Sequence, residues 1–307
     1  MSVNDRDFDR MVAGIKIARR TVRIAGVCTR SLSVDGDGPP ILLLHGFTDS
    51  ADTWRPLLKN LGALSRAAIA VDLPGHGFAD KLRRGNGIDQ FDRFTKAFIE
   101  SYAGHGPVIL AGNSLGGLLA LRAAQVSDMP LIAVAPINPG GLEYGKRYER
   151  TMRGFDRLTP LLRFTYRIPV PRMVVQALAW RYHERNLSEG RADPQLARRY
   201  AGHIHGMADV RRLGAVARQI GVDTVADPVA PEHIDIPVLL IWGGRDEVCP
   251  VSGAERVLRA VPTARLVVFK DCGHVTQIQR PTEVATLLAK LPDMTSAASD
   301  LAPGRGR

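Results

Sequence analysis

The sequence predicts a doubly wound α/β fold, in which helices cover both faces of a mostly parallel sheet and an all-helical segment is inserted between two strands. Short, continuously apolar runs alternate with segments of helical spacing before residue 140 and again after residue 236. Between these two stretches the chain has only helical patterns, which prolines interrupt. The 307 residues are 45% hydrophobic, which is enough to bury the core of one large domain.

The elements before the insertion begin with two short strands and continue as an alternation of strands and helices. In chain order we predict strands at 22–25, 29–34 and 41–44, a helix at 52–64, a strand at 67–71, a helix at 90–102, a strand at 108–111, a helix at 114–124 and a strand at 131–137. Asp52 is the expected N-cap of the first of these helices.

The elements after the insertion resume the same alternation. We predict strands at 238–242 and 266–269, and helices at 251–260 and 282–291. Because strands that are apolar on both faces belong to parallel sheets, their carboxyl ends should share one edge, and the insertion should leave the sheet at that edge.

These elements divide the chain into four parts. We expect an N-terminal arm or helix at 1–24, a discontinuous core at 25–140 and 236–292, a helical cap at 141–235 and a disordered tail at 293–307. Residues 11–20 are basic and amphipathic, which is typical either of a helix that touches a membrane surface or of a segment that lies on the domain.

The positive charge of the chain is concentrated in the cap. The net charge is +10, and residues 143–218 carry 16 Lys and Arg against seven acids. No nucleic-acid-binding motif accompanies this charge, so nucleic acid is not the expected partner. Two interpretations of the excess stay open: a solvated, arginine-rich helical face, or attraction of an anionic or lipid-like substrate or an anionic membrane surface.

Cysteine usage and the terminal sequence indicate the compartment. Cys28, Cys249 and Cys272 are scattered and form no CxxC pair, which argues against a disulfide framework and a structural zinc site. The N-terminus lacks the apolar core of a secretory signal, so we expect a cytoplasmic protein. Neither a metal nor an organic cofactor is implied, since no GxGxxG follows the first strand and no phosphate loop occurs.

A serine stands at the junction of a predicted strand and helix in "PVILAGNSLGG". Gly112 to Gly116 matches G-x-S-x-G, and the flanking glycines leave room for a sharp turn that would expose the Ser114 hydroxyl. A bulky residue at either glycine would collide with the neighbouring strand and helix. The context of strand, turn and helix makes Ser114 a candidate nucleophile, which needs a base oriented by an acid.

An aspartate and a histidine follow the last two predicted strands. "LLIWGGRD" places Asp246 just beyond one strand end, and "LVVFKDCGH" places His274 beyond the next. The order serine, acid, histidine is the one that this arrangement of strands requires. Asp246 would hold the imidazole of His274, which would take the proton of Ser114. Asp271 and Glu247 are the neighbouring carboxylates that compete for the role of the acid.

Backbone N–H groups are the expected donors to a developing oxyanion. Leu115 follows the serine, and Phe47 follows His45-Gly46 after a predicted strand, so the N–H groups of Phe47 and Leu115 are the candidates. We expect His45 to have a structural, hydrogen-bonding role.

Five motifs together resemble the α/β-hydrolase family, in the branch that has a serine nucleophile and a helical cap. They are "LLLHGF", "VDLPGHGFAD", "GNSLGG", "IWGGRDEVCP" and "DCGHVTQIQRP", and the resemblance covers residues 25–292. It implies a triad of Ser114, Asp246 and His274 below a cap formed by the insertion. Asn138 occupies the strand end where some members of the family carry their acid, and its amide cannot act as one, which supports Asp246.

Within the family the substrate class stays open. A carboxylic ester is the leading interpretation; hydrolysis of a C–C bond in a ring-fission diketone is the second, although Val275 and Gln279 depart from the usual pattern after the histidine. A ligand-binding protein without turnover is the third. Apolar cap residues could line an acyl pocket or pack the cap helices on one another: Phe155, Leu162, Phe164, Met173, Val174, Leu178 and Trp180. The oligomeric state cannot be read from the sequence.

Overall fold

The computed structural model describes residues 11–82, 87–146, 149–150, 171–182, 202–203 and 207–299. Its strands are β1 (Ala18–Ile24), β2 (Val27–Val34), β3 (Asp37–Leu44), β4 (Arg66–Val71), β5 (Val108–Asn113), β6 (Leu131–Ile137), β7 (Leu239–Gly243) and β8 (Arg265–Phe269). Its helices are α1 (Arg55–Ala63), α2 (Gly87–Tyr102), α3 (Leu115–Ala124), α4 (Arg172–Tyr182), α5 (Met207–Ala226), α6 (Ala254–Ala260), α7 (Thr276–Gln279) and α8 (Pro281–Ser299).

All eight strands belong to one sheet, in the order β1-β2-β4-β3-β5-β6-β7-β8. β2 pairs antiparallel with β1 and with β4, and the remaining pairs are parallel. This confirms the predicted doubly wound, mostly parallel sheet. The carboxyl ends of β3, β5, β6, β7 and β8 consequently lie along one edge, where the loops after them meet.

The sheet is buried on both faces, which explains why its central strands are apolar throughout. Along β3, Ile41 and Leu43 pack into one hydrophobic layer while Leu42 and Leu44 pack into the other. Helices α1 and α8 cover the first layer, and α2, α3 and α6 cover the second. Strands that alternate their side chains between two buried layers show no polar face in the sequence.

The start of the first helix differs from the prediction. Asp52 is not an N-cap: the side chain of Ser50 instead accepts a hydrogen bond of 3.4 Å from the Asp52 N–H, and a 3₁₀ turn, Ala51–Trp54, precedes α1. The Asp52 carboxylate accepts a hydrogen bond of 2.9 Å from buried Arg30 in β2. A buried guanidinium competes for the carboxylate more strongly than a helix N–H does.

Both ends of the described chain are more regular than expected. β1 begins at Ala18, within the segment treated as an arm, and pairs with β2 over its whole length. α8 continues past Pro292 to Ser299, into the segment for which a disordered tail is expected.

The cap lies between β6 and β7. The parts of it that the structure describes contain the helices α4 and α5 and no strand. α5 is tied to the core at two points: Arg212 donates to the Gly75 carbonyl at 2.7 Å, and the Asp223 carboxylate accepts from the Ile88 N–H at 3.1 Å. These contacts attach the end of the cap to loops and helices that follow the carboxyl end of β4.

Candidate active site

Ser114 occupies a sharp turn between β5 and α3. Its backbone angles, φ 53° and ψ −110°, lie in a region that residues with a side chain seldom adopt. Three backbone hydrogen bonds hold this conformation: Ser114 N–H donates to the Ile137 carbonyl at 3.0 Å, and the Ser114 carbonyl accepts from Leu118 at 2.9 Å and Gly140 at 3.0 Å.

The glycines around the serine are required by close packing. A Cβ on Gly112 would collide with the backbone of Gly116, and a Cβ on Gly116 would collide with the carbonyl of Leu44 at the end of β3. Without these side chains, α3 can begin directly against the sheet. The serine is thereby placed at the helix N-terminus, where partial positive charge favours a developing anion.

His274 and Asp246 form a buried hydrogen bond. His274 Nδ1 lies 2.8 Å from Asp246 Oδ2, and both side chains are almost completely removed from solvent. A carboxylate can only accept, so Nδ1 carries the proton and Nε2 is the nitrogen left to act as a base.

Four donors surround the Asp246 carboxylate. Oδ1 accepts from the N–H groups of Val248 and Cys249 at 2.8 and 2.9 Å, while Oδ2 accepts from His274 and, at 2.7 Å, from the Asn138 side-chain amide. The carboxylate is thus satisfied as an anion in a buried position.

The competing carboxylates have other surroundings. Asp271 pairs with Arg280 at the surface, and the loop around it is held by Gln279, whose side-chain oxygen accepts from the Gly273 N–H at 2.8 Å. Glu247 follows Asp246 directly in the chain, but the carboxylate that accepts the hydrogen bond of His274 is that of Asp246. Gln279 is therefore a residue that supports the histidine loop.

Asn113 connects the serine turn to the histidine loop. Its side-chain amide donates to the carbonyl of His274 at 2.9 Å and to that of Ile137 at 3.2 Å. No hydrogen bond between the Ser114 hydroxyl and His274 occurs among the described residues. Contacts of this kind are often long in a free enzyme and tighten when substrate binds.

His45 organises the loop that faces the serine. Its Nε2 accepts from the Leu73 N–H at 2.8 Å, and its Nδ1 donates to the Gly46 carbonyl at 2.7 Å. Burial lowers the pKa of His45 to about 4, so the ring stays neutral and both hydrogen bonds persist at neutral pH.

The oxyanion candidates lie on either side of the serine. A Cβ on Gly46 would be 3.3 Å from the Ser114 Cβ, so the turn that carries Phe47 lies directly against Ser114. Leu115 is the first residue of α3, and an N–H at that position has no partner within its helix. Both N–H groups remain proposals as oxyanion donors.

The apolar residues of α4 are exposed, so the structure does not support them as the lining of a closed pocket. Met173, Val174, Leu178 and Trp180 are 81%, 47%, 63% and 36% exposed. Phe155, Leu162 and Phe164 lie outside the described residues.

Two supporting residues of the site, Asn113 and Thr276, are not predicted from the sequence. Asn113 carries no signal beyond its place inside the G-x-S-x-G turn, and Thr276, which donates to the Asn138 side-chain oxygen at 2.7 Å, stands two residues after His274 without any recognisable pattern. Both act on groups that are distant in the sequence, so only the folded chain reveals them.

The described residues contain neither a candidate metal site nor a candidate membrane span. No cluster of three or more His, Cys, Asp or Glu side chains is arranged to hold a metal ion. No described helix combines the length and the apolar character that crossing a bilayer requires.

A sequence profile described as "Alpha/beta hydrolase family" matches residues 41–287. Among solved structures, that of a bacterial membrane phospholipase A superposes with a TM-score of 0.72 at 24% identity, covering 95% of this chain and 90% of the other. At this identity, the likeness to the solved structure demonstrates the fold.

The curated relatives include enzymes whose names describe different activities. A dihydrolipoyllysine-residue acetyltransferase component of the acetoin cleaving system of Pseudomonas putida is 27% identical, over 87% of this chain and 67% of its own. The monoacylglycerol lipase ABHD6 of Rattus norvegicus is 23% identical, over 82% and 75%. A pimeloyl-[acyl-carrier protein] methyl ester esterase of Nitrosomonas europaea is 28% identical, over 82% and 95%.

Proposed function

The chain belongs to the alpha/beta hydrolase family, and from that premise we propose that it is a serine hydrolase that cleaves carboxylic esters. The observation that carries the proposal is the buried 2.8 Å hydrogen bond between His274 Nδ1 and Asp246 Oδ2, which leaves Nε2 as a base on the loop that Asn113 ties to the Ser114 turn. A strained serine at a helix N-terminus beside such a pair is suited to nucleophilic attack.

The proposed reaction begins at the Ser114 hydroxyl. Its Oγ attacks the ester carbonyl carbon while His274 Nε2 takes the hydroxyl proton, and Asp246 stabilises the imidazolium that forms. The N–H groups of Phe47 and Leu115 donate to the carbonyl oxygen as it becomes negative. The tetrahedral intermediate then collapses, and His274 gives its proton to the departing alcohol.

The acyl group is then released by water. His274 takes a proton from a water molecule, whose oxygen attacks the acyl carbon and displaces Ser114 Oγ. The proton on His274 returns to Ser114, and the carboxylic acid leaves. The reaction consumes one ester and one water and forms one acid and one alcohol, so no cofactor is needed.

Fluorophosphonate labelling and a panel of p-nitrophenyl esters test this proposal. We expect labelling of the native chain and its loss in Ser114→Ala, and a fall of kcat on the order of 10⁴ to 10⁶ in Ser114→Ala or His274→Ala, with a smaller fall in Asp246→Asn. Ser101→Ala, on the surface of α2, is the matched control and should keep full activity.

Other outcomes separate the alternative functions. Turnover of a ring-fission dienone with no turnover of esters would replace the ester by a C–C bond as substrate. A chain that is not labelled, although it is folded, would contradict a reactive serine and leave a binding function.

We also propose that the acyl substrate is lipid-like or anionic. The monoacylglycerol lipase among the relatives and the 16 Lys and Arg of residues 143–218 support this substrate class. Neutralising Arg147, Arg150 and Arg153 should raise KM for anionic esters more than for neutral ones. An equal rise for both kinds of ester would contradict electrostatic attraction.

A peripheral contact between the cap and an anionic membrane surface would deliver such a substrate. Val174 and Leu178 are four residues apart on one exposed side of α4, and Met173 is exposed next to Val174. Exposed apolar side chains within a strongly basic segment are the combination that favours interfacial binding to anionic lipids.

Sedimentation with lipid vesicles tests this contact. The chain should bind phosphatidylglycerol vesicles, more weakly at high salt, and phosphatidylcholine vesicles much less. Replacing Met173 and Leu178 by Gln should lower binding several-fold, whereas Val126→Gln, an exposed apolar residue of the core domain, should not. Equal binding by both variants would contradict the role of α4.

A further inference from the structure

The end of β6 carries a side chain that completes the environment of the Asp246 carboxylate. Asn138 is completely buried, and its backbone has φ 46°, in the left-handed region that asparagine tolerates better than most residues. Its N–H donates to the Ile241 carbonyl of β7 at 2.9 Å, which holds the residue at the boundary of the two strands.

The orientation of the Asn138 amide follows from its partners. Asp246 Oδ2 is 2.7 Å from Asn138 Nδ2, and a carboxylate cannot donate, so the NH₂ group faces it. The Asn138 oxygen accepts from the Thr276 hydroxyl at 2.7 Å. The amide therefore connects the end of β6 with the carboxylate after β7 and with the loop after β8.

We propose that Asn138, held by Thr276, is a positioning residue that sets the orientation and the charge distribution of Asp246 toward His274. This inference rests on the proposed serine chemistry, which it deepens. The amide and His274 Nδ1 donate to the same oxygen, Oδ2, while two backbone N–H groups hold Oδ1. The carboxylate plane is thereby fixed by donors from three directions.

The amide also limits how strongly Oδ2 attracts the proton of His274. A second donor on Oδ2 withdraws negative charge from the oxygen that faces the imidazole. When that donor is removed, Asp246 attracts the imidazolium more strongly. Because the reaction needs neutral His274, the acid limb of the pH profile should then move to higher pH.

The thiol of Cys249, a titratable group beside Asp246, does not compete for this effect. Cys249 is buried, and burial together with the charge of Asp246 raises the pKa of its thiol. It stays a neutral thiol over the pH range in which a histidine titrates. A carboxylate at position 138, in contrast, would face Asp246 directly and repel it.

The variants Asn138→Ala, Thr276→Val and Thr276→Ser test this role. Thr276→Val keeps the shape of the side chain and removes the hydroxyl that holds Asn138, and Thr276→Ser keeps the hydroxyl as the matched control. We expect Asn138→Ala and Thr276→Val to lower kcat about tenfold with KM within about twofold. The acid limb should rise by roughly half a pH unit or more, and Thr276→Ser should follow the native profile.

Two readouts keep this test separate from that of the proposed function. The first is the rate of fluorophosphonate labelling of Ser114 as a function of pH, which requires no natural substrate. The second is the far-downfield proton NMR signal of the His274 Nδ1–H, which should shift in Asn138→Ala and Thr276→Val and not in Thr276→Ser.

A native chain that is not labelled would contradict the proposed serine chemistry, while the NMR signal would still test the positioning role. Labelling with the native pH profile and an unmoved NMR signal in both Asn138→Ala and Thr276→Val would overturn the inference about Asn138. Lower thermal stability alone would not support it, because a purely structural residue would have that effect.

Discussion

Ser114 shows how a single residue is kept in an unfavourable conformation by its surroundings. Its φ of 53° costs on the order of 1–3 kcal/mol for a residue with a side chain. The neighbouring glycines make the conformation accessible, since they let α3 start in contact with the end of β3. The hydroxyl is thereby presented at the edge of the sheet.

A side chain at Gly116 should therefore disrupt the fold. In Gly116→Ala the new Cβ would collide with the Leu44 carbonyl, and we expect a loss of about 3 kcal/mol or more in unfolding free energy. Gly104→Ala is the matched control, because no atom lies within 4 Å of a Cβ at that position. Urea denaturation measures both variants, and equal stability would contradict the packing argument.

Asp49, in the loop that carries Phe47, is a half-buried carboxyl group that the fold disfavours as an anion. Burial raises the pKa of Asp49 to about 6, although its carboxylate accepts a hydrogen bond of 2.8 Å from the Ser50 N–H. At pH values between the ordinary pKa of an aspartate and about 6, the folded chain binds more protons at Asp49 than the unfolded chain does. Stability should consequently fall as the pH rises through this window.

Asp49→Asn should remove this pH dependence. The asparagine oxygen can still accept the hydrogen bond of the Ser50 N–H, and the uncharged side chain avoids the free-energy cost of burying an anion. Because the side chain of Asp49 is partly exposed, we expect the substitution to raise the unfolding free energy by only about 1–2 kcal/mol at pH 7.5, or Tm by roughly 2–4 °C. The gain should disappear near pH 4, and a difference that does not change with pH would contradict the assignment.

At the scale of elements, the site is assembled from loops that follow four strands. β3 supplies the turn of Phe47, β5 supplies Ser114, β7 supplies Asp246 and β8 supplies His274. β6, between β5 and β7, contributes Asn138, which links the loops on either side of it. Adjacent parallel strands bring together residues that are up to 227 positions apart in the chain, since Phe47 and His274 differ by that number.

The attachment of the cap depends on an interaction between two helices. The Asp223 carboxylate of α5 accepts from the Ile88 N–H in the first turn of α2, and Gln219 donates to its other oxygen at 2.7 Å. A carboxylate from one helix thus accepts from an N–H at the N-terminus of another, where the partial positive charge of the helix favours an anion.

Asp223→Ala should loosen this attachment. We expect a loss of about 1–2 kcal/mol in unfolding free energy and faster hydrogen exchange in the first turn of α2, because the helix N-terminus loses the Asp223 carboxylate. Asp128→Ala, at an exposed position, is the control and should leave both quantities unchanged. Native exchange rates at residues 87–91 in Asp223→Ala would contradict a docking role.

At the scale of the molecule, a buried ion-pair network joins the N-terminal hairpin to the core. Arg30 of β2 donates to both oxygens of Asp72 at 2.9 and 3.0 Å, and to Asp52 at 2.9 Å. Asp72 also accepts from the N–H groups of Ala51 and Phe78, so it organises two loops at once. Buried charges of this kind are tolerated when they are fully hydrogen-bonded.

Removal of the arginine should leave buried Asp72 without the guanidinium that binds both of its oxygens, whereas Asp52 keeps its ion pair with Arg55. We expect Arg30→Ala to lower the unfolding free energy by about 3–5 kcal/mol. Arg30→Lys should recover only part of this loss, because an ammonium cannot bind both oxygens of Asp72 in the planar arrangement of a guanidinium. Arg23→Ala, on the exposed side of β1, should change stability by less than about 0.5 kcal/mol. Denaturant titration distinguishes them, and a small effect of Arg30→Ala would contradict the network.

The sequence by itself determined the sheet, the order of its strands and helices along the chain, and the candidates Ser114, Asp246 and His274. Three patterns that one sequence displays indicate them: continuous apolar runs, glycines at a sharp turn, and a serine, an acid and a histidine in that order along the chain. They arise because a strand buried on both faces and a turn without side chains restrict residue types at fixed positions.

Only the tertiary structure decided which polar groups meet. It assigned Asp52 to Arg30 and not to a helix cap, placed Asn138 against Asp246 and Thr276, and left the apolar side chains of α4 exposed. These outcomes depend on distances between residues that are far apart in the chain, and each is a competition among several partners. A periodic pattern in the sequence cannot predict which partner a polar group binds, because the result depends on how strands, loops and cap are packed together.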